Sequence, residues 1–342
     1  MCNIAGYIGY ERAAPKLFEM MEKQEGLGGG FYTGIATIHQ GKLYYRKVIG
    51  DVARLLDKTD AATLPGTMGI IHSRTKSGGD VEWGHPFVDE KERMAYIANG
   101  AGGFFEKIRN KDAMAQALSD SGHIFRSRTP GATGNYPRFS DGSSAHVSDV
   151  MCHLIESLIL ECGGPAEAMR KAFIEFPSEI VGLMIHTDTP DCIIASRINQ
   201  PLMIGRDENS TYLATTAIAF PDLNWINPMP ITSTATIYQN AINILPFESI
   251  DYSVASIFPW KESYNRILTL LSNGNAKTLA ELMKETNEFW PKDEVPQSAM
   301  MVYEILRHLK KSNQIRFLNS TVEGVHKDIT APRTQAVLNR LH

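Results

Sequence analysis

The sequence predicts an α+β protein: two stacked antiparallel sheets with helices packed outside them, then a small, mostly helical C-terminal module. Three observations carry this reading. Short runs rich in Ile, Val, Tyr and Met, bounded by glycine-containing turns, crowd the early chain with few helices between them, which favours antiparallel pairing. Helical periodicity takes over between Ser148 and Phe176, after which strand-like runs resume. Past about Ile250 the texture turns helical again, dividing the chain into 1–250 and 251–342.

In chain order, Asn3 to Gly9, Thr33 to Gln40, Lys42 to Ile49, Gly69 to His72 and Met94 to Ala98 read as strands, with a short helix over Lys16 to Lys23. The run from Arg126 to Ser144, rich in Gly, Pro, Ser and Arg, reads as a long exposed loop, a mobile surface insertion rather than a functional lid. In the next helix Met151, Leu154, Ile155, Leu158 and Ile159 share one face, with Ser148 as the expected N-cap and Gly163-Gly164 as the stop. A second helix follows over Pro165 to Phe176. Strands are then expected at Ile180 to His186, Cys192 to Ser196, Pro201 to Ile204, Tyr212 to Thr215 and Thr234 to Gln239. In the tail, Trp260 to Ser272, Lys277 to Glu288 and Ser298 to Lys311 read as helices. Ile315 to Phe317 and Val322 to Lys327 then pair as a hairpin around Asn319 to Thr321, which suggests a winged-helix-like module.

A hydrophobic fraction of 43%, a charged fraction of 21% and a net charge of -4 describe an ordinary globular chain with no overall attraction to nucleic acid or membrane. Cys2, Cys152, Cys162 and Cys192 form neither a disulfide framework nor a cysteine-spaced zinc site. With no leader or spanning segment in view, a cytoplasmic setting is expected.

Position two is chemically special. A thiol needs a base to become a good nucleophile at neutral pH, and an N-terminal residue carries one in its own α-amine, whose usual pKa is about 7.7–8.0. Cysteine is small enough that removal of Met1 is expected, which would leave thiol and amine on one residue. Downstream, Gly69 to Arg74 runs an apolar strand into an arginine that could clamp a carboxylate through two parallel hydrogen bonds. Gly84-His85-Pro86-Phe87 follows. A later strand ends in Asn99-Gly100, an amide beside an open backbone N–H that could hold a tetrahedral oxyanion.

In this order the motifs resemble the class II glutamine amidotransferases, N-terminal-nucleophile hydrolases, and most closely the glutaminase domain of glucosamine-6-phosphate synthase. MCNIAGYIG is similar to M-C-G-I-V-G, GIIHSRTKSGG to G-I-x-H-T-R-W-A-T-H-G, EWGHPF to N-A-H-P-H, and ANGAGGFFEKIR to H-N-G-I-I-E-N-x-x-x-L-R. The match runs over about 1–250. The resemblance implies a four-layer αββα fold and hydrolysis of the glutamine side-chain amide without cofactor or metal. Cys2 would be the nucleophile and Asn99 and Gly100 the oxyanion hole. Arg74 would hold the substrate α-carboxylate, Ser77 would stand where the family has a threonine near it, and His85 and Thr75 would complete the substrate side.

The departures are specific. The family stretch R-G-x-D-S-A-G reads GGGFYTG over Gly28 to Gly34, Thr75 replaces a tryptophan, and Gly78 replaces a histidine. The family aspartate that recognises the substrate amino group aligns with Val147, unless Asp149 or the Arg126 to Ser144 insertion supplies a substitute. The residues after about 250 are too few for sugar-isomerase domains, so ammonia would pass to a separate synthase partner, or the chain would work as a homo-oligomer. Three readings follow, in this order: a glutaminase half-enzyme, an amidase of this fold acting on another amide, and an amino-acid-sensing regulator acting through its tail. Arg307, Lys310, Lys311, Arg316 and Lys327 give that tail a basic bias, for which a solvated docking face is expected before nucleic-acid contact.

Overall fold

Two antiparallel sheets read the two-residue alternation of their strands into different cores on their two faces. The computed structural model describes residues 2–76, 78–100, 110–176, 181–248, 253–272 and 274–339. The first sheet is built from β1 (Asn3–Gly9), β2 (Tyr32–His39), β3 (Lys42–Ile49), β4 (Met68–Arg74), β9 (Met203–Arg206), β10 (Ser210–Ala214) and β11 (Trp225–Pro228). Its spatial order is β11-β9-β10-β1-β4-β2-β3. The second contains β5 (Phe87–Val88), β6 (Met94–Asn99), β7 (Val181–His186), β8 (Cys192–Arg197), β12 (Ser233–Tyr238) and β13 (Ile242–Pro246), in the order β13-β12-β8-β7-β6-β5.

Between the sheets, Ile4, Ile8, Ala36 and Ile70 meet Ala95, Ile97, Leu183 and Ile193. The intervening residues Ala5, Tyr7 and Ile71 face outward onto α1 (Ala13–Gln24) and α2 (Val52–Lys58), where Leu17, Met21 and Leu55 cover them. On the far side, Tyr96, Met184 and Ile194 pack under Met151 and Ile155 of α4 (Val147–Cys162) and Phe173 of α5 (Pro165–Glu175). The layers thus run helices, sheet, sheet, helices. Each large aliphatic side chain buried in this way stabilises by about 1.5–3 kcal/mol, so a strand buried on both faces is strongly held in register.

The C-terminal elements are α6 (Trp260–Ser272), α7 (Leu279–Thr286) and α8 (Ser298–Lys311), followed by the hairpin β14 (Ile315–Glu323) and β15 (Thr330–Leu338). Ile267, Leu271, Leu282, Val302, Leu306, Ile315 and Ala336 form their core, which also takes in Leu27. Polar bonds tie them to the sheets: Asn3 Nδ2 donates to Tyr303 Oη at 3.3 Å, Arg197 Nη2 to Gln297 at 2.5 Å, and Asn199 Nδ2 to Pro296 O at 3.1 Å. The domain boundary expected at residue 250 lies outside the described residues.

Several sequence expectations need correction. The hairpin turns at Gly324, whose N–H donates to Ile329 O at 2.7 Å, and not around Asn319 to Thr321, which pair instead with Pro332 to Thr334. The N-cap of α4 is His146, whose ring accepts the Ser148 N–H, and not Ser148. Helices α2 and α3 (Lys111–Asp120) were not expected, and neither were the short strands β5, β11 and β13. The Arg126 to Ser144 segment is the irregular, largely exposed stretch expected, but it is anchored: Ser127, Phe139 and Ser144 are buried, and Thr129 and Arg138 both bridge to Ser144. No described helix is long and apolar enough to cross a membrane.

Candidate active site

Three strand ends converge on Cys2. It stands at the head of β1, whose antiparallel register with β4 pairs Asn3 with Ser73 and so brings Arg74 and Thr75 alongside. From the second sheet, β6 ends at Asn99. The Cys2 backbone N–H donates to Asn99 Oδ1 at 3.3 Å, and Cys2 Sγ lies 3.7 Å from Thr75 Oγ1. Because Oδ1 accepts from Cys2, the orientation of the Asn99 amide is fixed. Its Nδ2 is buried and has no hydrogen-bond partner among the described residues. A buried donor without an acceptor costs about 1–3 kcal/mol, which an arriving oxygen would recover. Gly100 follows at the exposed end of the strand. Ser77, and residues 101–109 of the motif containing Asn99, lie outside the described residues.

Arg74 is 2% exposed. Its Nη1 donates to Trp83 O at 2.9 Å and Gly78 O at 3.3 Å, and its Nη2 donates to Tyr136 Oη at 3.1 Å. The guanidinium also sits 4.8 Å from the Tyr32 ring. Among the described residues no carboxylate pairs with it, so a buried guanidinium stands beside Cys2 without a counter-ion among them.

His85 is buried rather than surface-facing, stacked on His72 with centroids 3.8 Å apart and near His146 at 5.3 Å. Burial drives the pKa of His85 and His146 well below the ordinary histidine value and that of His72 to about 3. These imidazoles are neutral at physiological pH. His72 Nε2 is 2.9 Å from Ala98 O, which ties β4 to the end of β6 just before Asn99. Gly34 lets this loop lie on β2: a Cβ there would run into His85 O and meet Lys47 Cβ at 2.8 Å.

Sequence reasoning missed several supporting residues. Glu25 is buried, accepting from Ser73 Oγ at 2.7 Å, from Thr33 Oγ1 at 3.0 Å and from the Val52 N–H at 3.1 Å. Burial raises its pKa to about 7 against the pull of these donors. Tyr136 arrives from the insertion and Tyr303 from α8, and neither stands in a recognisable motif. The Gly28 to Gly34 departure has a steric counterpart, since a Cβ on Gly29 would come within 2.5 Å of Ser73 Oγ and one on Gly30 would strike Pro332 of β15. Asp149 accepts from the Ser127 N–H at 2.9 Å and Ser127 Oγ at 2.8 Å, so it is committed within the outer layer.

The fold is similar to that of amidotransferases of known structure. It matches a solved glutamine phosphoribosylpyrophosphate amidotransferase from B. subtilis with TM-score 0.58 and 16% identity, over 86% of this chain and 65% of that one. A second structure, described as the allosteric regulatory enzyme of purine biosynthesis, matches with TM-score 0.57 and 16% identity, over 89% and 63% of the two chains. At such identities the likeness is one of fold.

The sequence homologues are glutamine–fructose-6-phosphate aminotransferases. The chain is 29% identical over 254 residues to the enzyme of Thermosynechococcus vestitus, covering 72% of this chain and 37% of the relative. It is 28% identical over 223 residues to that of Pyrococcus horikoshii, covering 64% and 33%. The chain therefore spans about a third of the length of the curated relatives it matches. No protein-family model matches it.

Proposed function

We propose that this chain is a glutamine amidotransferase half-enzyme, which hydrolyses the glutamine side-chain amide through an N-terminal Cys2 and releases ammonia to a separate synthase. The observation that carries this reading is the buried Asn99 Nδ2, without a partner among the described residues, beside a cysteine whose N–H is held by the same side chain. Removal of Met1 would turn that N–H into the free α-amine that serves as the base. Cys2 Sγ attacks the amide carbon and the carbonyl oxygen becomes an oxyanion, met by Asn99 Nδ2 and the Gly100 N–H. The C–N bond breaks as the amine delivers its proton to the leaving nitrogen, giving ammonia and a γ-glutamyl thioester. Water then attacks the thioester, releasing glutamate and restoring the thiol.

Arg74, together with Ser77, would hold the substrate carboxylate. The absence of an ion-pair partner for Arg74 among the described residues supports an anionic ligand there, with Tyr136 as the contact it would share or displace. Thr75 lines the thiol, and His85, stacked on His72, would be a neutral ring on the substrate side. The segment over 251–342 would be a docking module of winged-helix-like order. Within its basic set, Arg307 is already paired with Glu304 at 2.6 Å and Lys310 lies 5.0 Å from the Phe317 ring, which supports a docking face over a nucleic-acid surface.

A second reading, an amidase for another amide, is favoured by Val147 at the position of the family's amino-recognising aspartate and by Asp149 being bound to Ser127. A panel of amides offered to protein beginning at Cys2 separates the two. Equal release of glutamate and ammonia from glutamine supports the first, and turnover of other amides but not of glutamine replaces it with the second.

A further inference from the structure

On the outer face of the second sheet, Glu90, His123 and His153 bring three metal-ligating atoms within 4.8 Å of one another. They come from separate parts of the chain: the turn between β5 and β6, the segment after α3, and the middle of α4. Glu90 Oε1 lies 3.4 Å from His123 Nδ1 and 3.4 Å from His153 Nδ1. A charge-assisted N–H···O bond would be about 2.7–2.9 Å, so these separations are long for a hydrogen bond, although within ion-pair reach. The two match edges of a tetrahedral zinc shell, whose bonds of about 2.0–2.1 Å place ligand atoms about 3.3 Å apart, and the two histidine nitrogens lie within 4.8 Å of each other.

A second, independent observation points to a ligand. His153 is fully buried, and among the described residues its two ring nitrogens face only carboxylates, Glu90 Oε1 at 3.4 Å from Nδ1 and Asp149 Oδ1 at 3.5 Å from Nε2, with no close hydrogen bond to either. That Oδ1 belongs to a carboxylate whose other oxygen is held by Ser127. That is the carboxylate–histidine arrangement which orients a ring so that its opposite nitrogen faces a metal. Glu90 Oε1 is oriented in turn by the Ile124 N–H at 2.9 Å. Glu156 Oε2 stands 3.8 Å from His123 Nδ1, and Arg93 takes only its other oxygen, Oε1, at 3.7 Å.

We propose that Glu90, His123 and His153 bind a divalent transition ion of zinc type, with Glu156 as the nearest further donor and Asp149 as the residue that orients His153. Two imidazoles select such an ion over magnesium or calcium. Glu90 and His123 are partly exposed, so the ion enters from solvent, and once bound it staples α4 and the end of α3 to the turn that leads into β6. The ligands are far apart in sequence and include no cysteine, which is why cysteine spacing gives no hint of them.

The test uses tag-free full-length protein, stripped with chelator and dialysed, then titrated with Zn2+ against a chromogenic competitor and with Co2+ followed by its visible spectrum. Glu90→Gln and His123→Gln alter partly exposed side chains, and circular dichroism of the stripped proteins checks that both are folded. We expect one Zn2+ per chain, a tetrahedral Co2+ spectrum and a melting temperature raised by Zn2+, all lost in both variants. Asp149→Asn should weaken binding by the about 10–100-fold typical of outer-shell partners. Zn2+ bound equally by the parent and both variants, or Co2+ that keeps the spectrum of the hydrated ion, would overturn the proposal and leave a histidine–carboxylate network.

Discussion

Replacing Glu25 by glutamine changes how folding stability depends on pH, and the size of the change can be worked from the structure. The carboxyl is enclosed by Ser73, Thr33 and the Val52 N–H, and burial raises its pKa from 4.5 to about 7. Between those values the folded protein keeps a proton that the unfolded chain has released. Stability from this group is therefore present in full below about pH 4.5, declines as pH rises, and is gone above about pH 7. At 1.36 kcal/mol per pKa unit the loss is about 3 kcal/mol. Glutamine is nearly isosteric, still accepts from Val52 and Ser73, and never ionises. Urea unfolding of both proteins at about pH 5 and about pH 8, with m-values compared to confirm a common unfolded state, should show the variant gaining about 2.5 kcal/mol on the parent at the higher pH. A stability difference between the two proteins that does not change with pH would refute the assignment of Glu25 as a buried neutral acid.

Three further outcomes are expected. Tyr303→Phe leaves Asn3 Nδ2 buried without its acceptor and should cost about 1–3 kcal/mol in chemical unfolding, so an unchanged midpoint would show that this tie from α8 to β1 carries no stability. Gly34→Ala forces a methyl group against His85 O and Lys47 and should destabilise by more than about 2 kcal/mol in the same assay; a neutral result would mean that the His85 loop can move. Asn99→Ala should lower kcat for the amide about 10²–10³-fold with little change in KM, because the oxygen that Nδ2 meets carries its charge only in the transition state. A change confined to KM would contradict that role.

What the sequence made legible was what local chemistry marks. Cys2, Arg74, Thr75 and Asn99 stand at the ends of strands whose alternation is strong, so the strands and their end residues could be read together. Glu25 could not, because a glutamate at the end of a helix reads as solvated charge and only the return of β4 buries it. Tyr136 lies in a Gly- and Pro-rich run whose composition signals a loop, while its contact with Arg74 depends on where that loop folds back. The C-terminal turn was misplaced because Asn319-Ser320-Thr321 carries turn residues on an exposed, polar strand. Helix α3 had a usable signal, Asn110 capping Asp112 and Ala113, that went unread next to the glycines before it.

The central claim is that Cys2, freed of Met1, is the nucleophile of an amide hydrolase. The most direct test purifies protein whose N-terminus is verified as Cys2, incubates it with glutamine and follows glutamate and ammonia, with Cys2→Ala alongside and rapid acid quenching to trap the acyl-enzyme. Equal glutamate and ammonia and a γ-glutamyl adduct on the N-terminal peptide are expected, and neither in the variant. Hydrolysis that survives Cys2→Ala, or no hydrolysis of glutamine or of any amide in the panel by the processed parent, would contradict the claim.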